Sequence, residues 1–255
     1  MEQIKKILSK IEVEKQVKIL FACETGSRAW GFPSPDSDYD IRFIYVHELD
    51  WYLSLSERKD TIEFMDGDWD LSGWDLRKSL RLLKKSNAPL IERFQSPIVY
   101  FEEKGFAAGF KKLIGNCYSP VSVFYHHYSL AKKFWEDLKD EKEFKLKSFF
   151  YLVRSMLSCN WIMEDDTVLP MTISGLMGKA DDDIRNRLNN LIKIKSLQSE
   201  KYLHPRDEIL HNWMLALWNK TEKAKDNLKS GNADDKLLND YFLNQIHEYT
   251  DNRTS

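Results

Sequence analysis

Apolar residues recur with two different periods along the first part of the chain. The segment "MEQIKKILSKIEVEK" repeats its apolar residues at helical spacing, which predicts an amphipathic helix. The continuous apolar run "VKILFAC" predicts a buried strand, and "YDIRFIYV" predicts a second strand whose side chains alternate between two faces. This succession of a helix and strands indicates a mixed α/β region.

A hairpin is predicted after the second strand. The short segments "DTIEFM" and "WDL" are strand-like and flank the dipeptide Asp66-Gly67. An Asp-Gly pair between two such segments is typical of a tight hairpin turn, because glycine accepts the positive φ that the turn needs. We therefore expect two antiparallel strands here.

A helix is predicted directly after the hairpin, over "GWDLRKSLRLLKKS". The segment Ser72–Asp75 resembles a capping box, in which two side chains bond the backbone at a helix start. Four basic residues fall near one side of this helix: Arg77, Arg81, Lys84 and Lys85. They fit either a track for RNA phosphates or a solvated outer face, and the solvated face is the more common case.

Helical stripes dominate after about residue 102, where the strand patterns fade. We therefore expect an α/β (α+β) half followed by a helical half, with domains at residues 1–110 and 111–255. The predicted helices are "FAAGFKKLIGNC", "VSVFYHHYSLAKKFWEDL", "FKLKSFFYLVRSMLSCNWIM", "DDDIRNRLNNLIKIKSL" and "RDEILHNWMLALWNKTEKAKDNL".

Composition narrows the class of protein. The 255 residues carry 38 Lys+Arg against 40 Asp+Glu, so any surface that binds nucleic acid must be a local patch. The three cysteines are far apart in the sequence, which disfavours a disulfide framework and a zinc ribbon. The N-terminal segment lacks the apolar core of a signal peptide, and no apolar run reaches membrane-spanning length. We expect a soluble cytoplasmic protein with no membrane partner.

Two carboxylates, Asp38 and Asp40, stand two positions apart at the second predicted strand. Because side chains alternate along a strand, both project from one face, roughly 7 Å apart, and Arg42 shares that face. Like charges this close raise each other's pKa unless a positive charge lies between them, and Mg²⁺ is a natural counter-charge. Arg42 either has a functional role, as a partner of a carboxylate or of a substrate triphosphate, or forms a structural ion pair.

A third carboxylate would complete a two-metal site of the kind used in phosphoryl transfer. Asp70 is the best candidate, because its strand neighbours the first in the same predicted sheet. Asp68 shares the strand face of Asp70 and is the rival. Asp36 precedes the strand and fits a turn with Pro35 and Ser37.

The Gly26-Ser27 pair follows the first predicted strand and would open a short helix at Arg28–Gly31. Glycine lets a backbone approach a phosphate closely, and amides at a helix start bind anions. Serine adds a hydroxyl. Arg28 either reaches a phosphate or caps the loop, and the sequence does not separate these two roles.

The stretch "GSRAWGFPSPDSDYDIRFIY" resembles the signature of the DNA polymerase beta nucleotidyltransferase superfamily, which is Gly-Ser, a spacer and Asp-x-Asp. Over roughly residues 15 to 165 the chain resembles the YcgL-like predicted nucleotidyltransferases, which include the RNA-repair-associated RlaP-type group. The other segments that carry this resemblance are "DWYLSL", "DLSGWDLRKSLRLLKKSNAPLIERFQSPIVY", "YHHYSLAKK" and "KLKSFFYLVRSMLSCNWI".

The resemblance implies a fold and an activity. The fold is a small mixed-sheet palm followed by an all-helical C-terminal domain. The activity is the transfer of a nucleotidyl group from a nucleoside triphosphate, with Mg²⁺ or Mn²⁺ as cofactor. By the family pattern Asp38 and Asp40 are paired metal ligands, Asp70 is the third carboxylate, and Gly26 and Ser27 form the phosphate turn. Thr25 departs from the pattern, which has a small residue before the glycine.

The helical domain of this superfamily often supplies a lysine to the β- and γ-phosphates of the nucleotide. Lys132 is the first choice, because it stands four residues after Tyr128, whose ring can stack on a base. Lys145 is the second choice. Both assignments follow from the resemblance rather than from the residues alone.

Three acceptors for the nucleotidyl group remain open: an RNA end, a protein side chain, as in antitoxin-like enzymes, and a small molecule. The RNA-repair association favours RNA by analogy. A non-catalytic nucleotide-binding protein is a further alternative. The intact carboxylates argue against it, because a protein without the chemistry has no reason to retain three close charges.

Overall fold

Five strands form one mixed sheet in the computed structural model, which describes residues 2–165, 167–226 and 228–254. The strands are β1 (Lys18–Glu24), β2 (Tyr39–Val46), β3 (Thr61–Asp66), β4 (Trp69–Asp75) and β5 (Val99–Glu102). Their order across the sheet is β3-β4-β2-β1-β5. Strands β2 and β4 are parallel, whereas the other neighbours are antiparallel. The central strands β1 and β2 are buried because their apolar runs face packed layers.

The first predicted helix and strands are confirmed, and they share one apolar core. Helix α1 (Glu2–Lys15) places its apolar stripe on the sheet, where it meets the side chains of β2 that alternation assigns to one face. This core includes Ile4, Leu8, Ile11, Ile41, Phe43, Tyr45 and Leu71. Burial of this stripe anchors the helix to β1 and β2.

The predicted hairpin is also confirmed, with Gly67 at a φ of 56° between β3 and β4. The predicted capping box at Ser72 is wrong. Strand β4 continues through Ser72 to Asp75, because its backbone pairs with β2 along the whole of that stretch. Helix α4 (Leu76–Lys84) begins only afterwards, and the carboxylate of Asp75 accepts bonds from the backbone N–H groups of Arg77 and Lys78.

The chain divides into two compact units. The first contains the chain up to Gly26, the segment Asp38–Tyr118 and the chain from Asn232 onward. Besides α1 and α4 it holds α3 (Leu49–Leu53), α5 (Ala88–Arg93), α6 (Phe106–Cys117) and α12 (Asp235–Thr254). The domains at residues 1–110 and 111–255 remain a prediction. The compact units have other bounds. Phe110 of α6 stacks on Phe94, and α12 packs against α4, so both helices belong to the first unit.

The second compact unit contains Ser27–Ser37 and Ser119–Gly231 and is mainly helical. Helix α2 (Gly26–Trp30) runs from the last residue of the first unit into the second. The buried helix α8 (Leu146–Glu164) is central, with α7 (Pro120–Leu138), α10 (Asp182–Leu197) and α11 (Glu208–Ala224) packed against it. The unit also holds α9 (Ile173–Leu176), a 3-10 turn (Met177–Lys179), β6 (Glu143–Lys145) and β7 (Leu203–Pro205).

The predicted fold class, a mixed sheet followed by a helical part, is confirmed. The helical part also contains a two-stranded sheet of β6 and β7, which the sequence did not predict. Each of these strands has three residues, which is too short for a recognisable alternating pattern. None of the described helices has both the length and the apolar character needed to cross a membrane.

The start of α4 yields a prediction about stability. We expect Asp75→Ala to lower the free energy of unfolding by about 2 kcal/mol, because it removes the helix cap and the acceptor of the Tyr52 hydroxyl. The matched change Ser72→Ala should cost less than about 0.5 kcal/mol, because Ser72 lies within a strand. Urea denaturation measures both losses, and equal losses would contradict the assignment of the cap.

Candidate active site

Two carboxylates lie side by side where β2 and β4 pair. The parallel register places Asp40 opposite Asp70. Their side chains are 33% and 37% exposed, so both can be reached from solvent. Nη2 of Arg42 lies 3.0 Å from Oδ1 of Asp40 and 2.8 Å from Oδ2 of Asp70. One guanidinium nitrogen therefore bonds both carboxylates.

Arg42 is fixed to the strands as well as to the carboxylates. Its Nη1 donates to the backbone oxygen of Asp70 at 2.9 Å and to that of Ile41 at 3.2 Å. The side chain is two residues beyond Asp40 on β2, so alternation puts both on one face. The positive charge lowers the repulsion between the two carboxylates in the protein as it stands.

The other acidic candidates are placed differently. Asp38 is exposed and directly precedes β2. Asp68 lies in the turn between β3 and β4, where its backbone oxygen accepts a bond from the N–H of Tyr39. Asp36 belongs to a turn of the second unit, and its carboxylate accepts a bond from the backbone N–H of Glu200. Asp70, not Asp68, is therefore the residue in register with Asp40.

The chain turns tightly against Asp40 as it leaves β1. Both the backbone N–H and the hydroxyl of Thr25 donate to the backbone oxygen of Asp40, at 2.8 and 2.9 Å. Gly26 has a φ of +62°, and a Cβ built on it would lie 2.9 Å from Cγ of Asp40 and would overlap the carboxylate oxygen. Only glycine fits this approach without moving Asp40. Thr25, which departs from the family pattern, thus binds the backbone oxygen of Asp40 through two hydrogen bonds.

Glu24 supports Asp40 from beneath. It is fully buried at the end of β1, and its Oε1 accepts a bond of 2.7 Å from the backbone N–H of Asp40. The hydroxyl of Tyr100 donates to its other oxygen. Sequence reasoning missed this residue, although a carboxylate that ends the apolar strand "KILFACE" is a signal for a buried polar contact.

Two further polar groups lie buried near these strands. Burial raises the pKa of the Cys23 thiol to about 12, although the charge of Arg93 opposes the shift. Burial also lowers the pKa of Arg93 to about 9, and its guanidinium lies 3.4 Å from the ring centre of Trp74. Cys23 is therefore a neutral core thiol near neutral pH and is unsuited to act as a nucleophile.

No group of three or more His, Cys, Asp and Glu side chains within the described part of the chain is arranged to hold a metal ion. The pair of Asp40 and Asp70 nevertheless fits Mg²⁺ in its donor set. Magnesium binds through one or two carboxylates and completes its shell with water and substrate phosphates. In the protein as it stands, the positively charged Nη2 of Arg42 lies between the two carboxylates and bonds both. A cation is therefore compatible with this position.

The predicted phosphate turn continues into the second unit. There the hydroxyl of Ser27 bonds that of Ser37 at 3.2 Å, and Nη2 of Arg28 donates to the backbone oxygen of Ser37 at 2.7 Å. The Ser37 hydroxyl also accepts a bond from the N–H of Ser34. Arg28 thus closes the loop that joins α2 to β2, and its contact with phosphate stays a prediction.

Two lysines that were not chosen from the sequence are connected to this loop. Lys195 of α10 is buried, and its Nζ donates to the hydroxyl of Ser34 at 2.7 Å. Burial lowers its pKa. Lys147 pairs with Glu200 at 2.7 Å, and the backbone N–H of Glu200 donates to the carboxylate of Asp36 in the loop. These partners are between 53 and 164 residues apart in the chain, so local sequence patterns did not indicate the contacts.

The chosen lysines lie elsewhere in the second unit. Lys132 is exposed on α7, and Lys145 is exposed at the end of β6. Tyr128, the proposed base-stacking ring, stacks on Phe124 and Trp218 at centroid distances of 5.9 and 5.7 Å. The contact of either lysine with phosphates stays a prediction, and the ring of Tyr128 is occupied by aromatic neighbours of its own unit.

Glu24 yields a prediction about how Asp40 is held. We expect Glu24→Ala to lower the free energy of unfolding by about 1–3 kcal/mol, because it leaves the N–H of Asp40 and the hydroxyl of Tyr100 without this acceptor. Glu24→Gln should cost less, because its amide oxygen can still accept from the N–H. Denaturant unfolding of both variants measures the difference, with the exposed Glu14→Ala as control. Equal losses for Ala and Gln would contradict the role of the bond.

Comparisons with known proteins agree with the resemblance in the sequence. A profile described as "RlaP: RNA repair pathway DNA polymerase beta family" matches residues 1–244. The uncharacterized protein YcgL of Bacillus subtilis is 39% identical over 245 residues, covering 94% of each chain. The uncharacterized protein MJ0002 of Methanocaldococcus jannaschii is 29% identical over 150 residues, which cover 57% of this chain and 60% of that protein.

Among solved structures, a nucleotidyltransferase-like protein from Exiguobacterium sibiricum is similar, with a TM-score of 0.31 and 10% identity. The alignment covers 87% of this chain and 73% of that one. The family assignment rests on the profile, which spans nearly the whole chain, and on the Bacillus relative. This chain belongs to the RlaP family, the RNA repair pathway DNA polymerase beta family.

Proposed function

We propose that this protein is a Mg²⁺-dependent nucleotidyltransferase that moves a nucleoside monophosphate from a nucleoside triphosphate to the hydroxyl of an RNA end. The observation that carries the proposal is the register of β2 and β4, which sets Asp40 beside Asp70 with both carboxylates open to solvent. Membership of a polymerase beta family supports the reaction type. The words "RNA repair pathway" in the family description support RNA as the acceptor.

The metal ligands in this proposal are Asp38, Asp40 and Asp70. All three supply carboxylate oxygens, which suit Mg²⁺ or Mn²⁺. Bound ions would lower the pKa of the acceptor hydroxyl and neutralise charge on the leaving pyrophosphate. Arg42, which bonds Asp40 and Asp70 in the free protein, is then available to the triphosphate or to one of the carboxylates.

The residues of the chain have separate tasks in the reaction. The acceptor oxygen forms a bond to the α-phosphorus while the bond from that phosphorus to the pyrophosphate oxygen breaks. Asp70 accepts the proton of the acceptor hydroxyl, since it is the exposed carboxylate next to Asp40. Glu24 and Thr25 hold the backbone of Asp40, so the carboxylate starts from a fixed position.

The triphosphate is assigned to the turn that follows β1. Gly26 lacks the Cβ that would displace Asp40 and leaves its backbone open to a phosphate. Ser27 and Arg28 follow it directly in the chain and would add a hydroxyl and a positive charge. Lys132 or Lys145 would meet the β- and γ-phosphates, as the family pattern implies.

A labelling assay tests the donor and the acceptor together. The protein is incubated with each α-³²P-labelled nucleoside triphosphate, Mg²⁺ and total RNA, or with cell-lysate protein in place of RNA. We expect the label to appear on RNA. Label on protein alone would replace RNA by a protein acceptor, and the absence of transfer to both RNA and protein would reject the proposal.

The paired carboxylates yield a prediction about this assay. We expect Asp38→Asn or Asp40→Asn to lower transfer more than about a hundredfold, because each removes a charged ligand of the metal. The fold should persist, because loss of one carboxylate charge relieves repulsion and an amide oxygen at residue 40 still accepts from Arg42. Thermal unfolding checks the fold, and Asp50→Asn on the exposed surface of α3 is the control. Full activity of either variant in saturating Mg²⁺ would reject the assignment.

The third carboxylate gives an asymmetric prediction. Asp70→Ala should eliminate turnover but keep substantial binding of Mg²⁺ and nucleotide through Asp38 and Asp40. Asp68→Ala should be nearly neutral, because Asp68 lies in the hairpin turn while Asp70 is in register with Asp40. Single-turnover rates separate the two variants, with calorimetry of nucleotide binding as the second readout. The reverse order of rates would show that Asp68 is the third ligand.

A further inference from the structure

A cationic pocket of about 380 Å³ lies on the first unit, between the segment that follows α3 and the outer side of α4. We call it the arginine pocket and define it by Trp51, Arg58, Arg77 and Arg81. Arg77 and Arg81 are two of the basic residues that the sequence left between an RNA track and a solvated face. Arg58, from the segment between α3 and β3, lies in the same pocket as Arg77 and Arg81 of α4. The cluster therefore depends on tertiary structure and not on one helix.

The positive charge of this pocket is only partly balanced, because its four cationic side chains share the wall with two carboxylates, those of Glu57 and Asp60. Lys78, also in its wall, pairs with Asp60 at 2.8 Å. By contrast, Arg58, Arg77 and Arg81 form no salt bridge with any residue of the described chain, and Arg58 and Arg81 are exposed. A cluster of arginines without salt-bridge partners is a binding surface for anions of suitable geometry, above all phosphate.

Aromatic rings hold the pocket in shape. The guanidinium of Arg77 lies 5.5 Å from the ring centre of Trp51 and 5.1 Å from that of Tyr52. Trp51 stacks on His47 with the ring centres 3.9 Å apart. Burial, together with the charges of Arg58 and Arg77, lowers the pKa of His47 to about 4. The histidine is therefore neutral near pH 7, so its ring stacks on Trp51 without adding a charge to the pocket.

A second depression, of about 260 Å³, adjoins the arginine pocket and shares Arg77 and Arg81 with it. Its wall adds the apolar side chains of Leu80, Leu238 and Phe242. The arginines thus stand between one polar and one partly apolar hollow. A chain that alternates charged phosphates with apolar base faces matches this arrangement better than a single anion does.

The position of the pocket relative to Asp70 also favours a polymer. Asp70 lies near the start of β4, and Asp75 ends the strand directly before α4, which carries Arg77. Five residues of strand correspond to about 17 Å. A ligand that presents a hydroxyl at Asp70 and a phosphate at Arg77 must therefore extend well beyond one nucleotide.

We propose that the arginine pocket binds the phosphodiester backbone of single-stranded RNA and so anchors the acceptor whose end is modified. The inference rests on the proposed function for the identity of the acceptor. The fully exposed Leu55, also in the wall of the pocket, adds an apolar contact for a base. Because the net charge of the chain is −2, binding depends on this local patch rather than on overall attraction.

Fluorescence anisotropy of a labelled single-stranded RNA, without nucleotide or Mg²⁺, tests the proposal. We expect Arg58→Gln combined with Arg81→Gln to raise the Kd about tenfold at moderate salt. The slope of log K against log salt should become shallower by about 1.4, which is the loss of two phosphate contacts on a single strand. Both side chains are exposed, so the fold should be unaffected. Lys111→Gln on α6 removes an equal charge outside both hollows and should leave the affinity unchanged.

Competitors identify the ligand class. An unlabelled oligonucleotide should displace the probe, whereas AMP, pyrophosphate and polyglutamate should require far higher concentrations. An unchanged Kd and salt slope in the double variant would overturn the proposal. Displacement by AMP or pyrophosphate near the Kd of RNA would overturn it in favour of a small-anion site, and equal displacement by polyglutamate would overturn it in favour of an acidic protein.

The outcome can be separated from that of the proposed function. In an Asp38→Asn background the effect of the two arginine changes on RNA affinity should be the same, since Asp38 is outside the pocket. If transfer to RNA depends on Asp38 but RNA binding is unaffected by the changes at Arg58 and Arg81, the pocket proposal is rejected and the proposed activity is retained. If arginine-dependent RNA binding occurs without any transfer, the pocket stands and the enzyme proposal fails.

Discussion

Parallel pairing between β2 and β4 brings together the two carboxylates of the candidate site. Asp40 and Asp70 are thirty residues apart, and only the register of this strand pair makes them neighbours. A slip of one residue would turn Asp70 to the opposite face of the sheet. The hairpin at Gly67 limits such a slip, because it ties β4 to β3. Gly73 limits it further, since its missing side chain leaves room for the ring of Phe43.

The electrostatics of the site follow from that pairing. Two carboxylates in register on one face repel each other, and Arg42 relieves the repulsion by bonding both. The pairs are partly exposed, so their contribution to folding is small, and their main effect is to hold the carboxylates in place. Beneath them, the buried Glu24 bonds the N–H of Asp40 and gives the residue a rigid backbone. A site of this kind is arranged before any substrate arrives.

The segment after Gly26 is organised by a different set of contacts. Its loop is closed by bonds between Ser27, Arg28 and Ser37, and it is tied to α10 through the buried Lys195. Burial of a lysine is costly unless its ammonium group is bonded, and the hydroxyl of Ser34 supplies such a bond. The residues assigned to the phosphate turn therefore begin in one compact unit and continue in the other. This division explains why a single boundary near residue 110 does not describe the compact units.

The sequence alone determined the long helices and the strands of the main sheet, the alternating faces of β2 and the candidate carboxylates, because these depend on local periodicity and on motif spacing. Shared faces along one strand, such as that of Asp40 and Arg42, follow from a period of two. Tertiary structure alone decided the start of α4, where pairing with β2 outweighed the local capping signal at Ser72. It also decided that Asp70 pairs with Asp40 and that Glu24 bonds the N–H of Asp40. The bond from Lys195 to Ser34 and the shared pocket of Arg58 and Arg77 are likewise tertiary. Each of these joins residues distant in the chain, and local patterns carry no information about which distant partners will pack together.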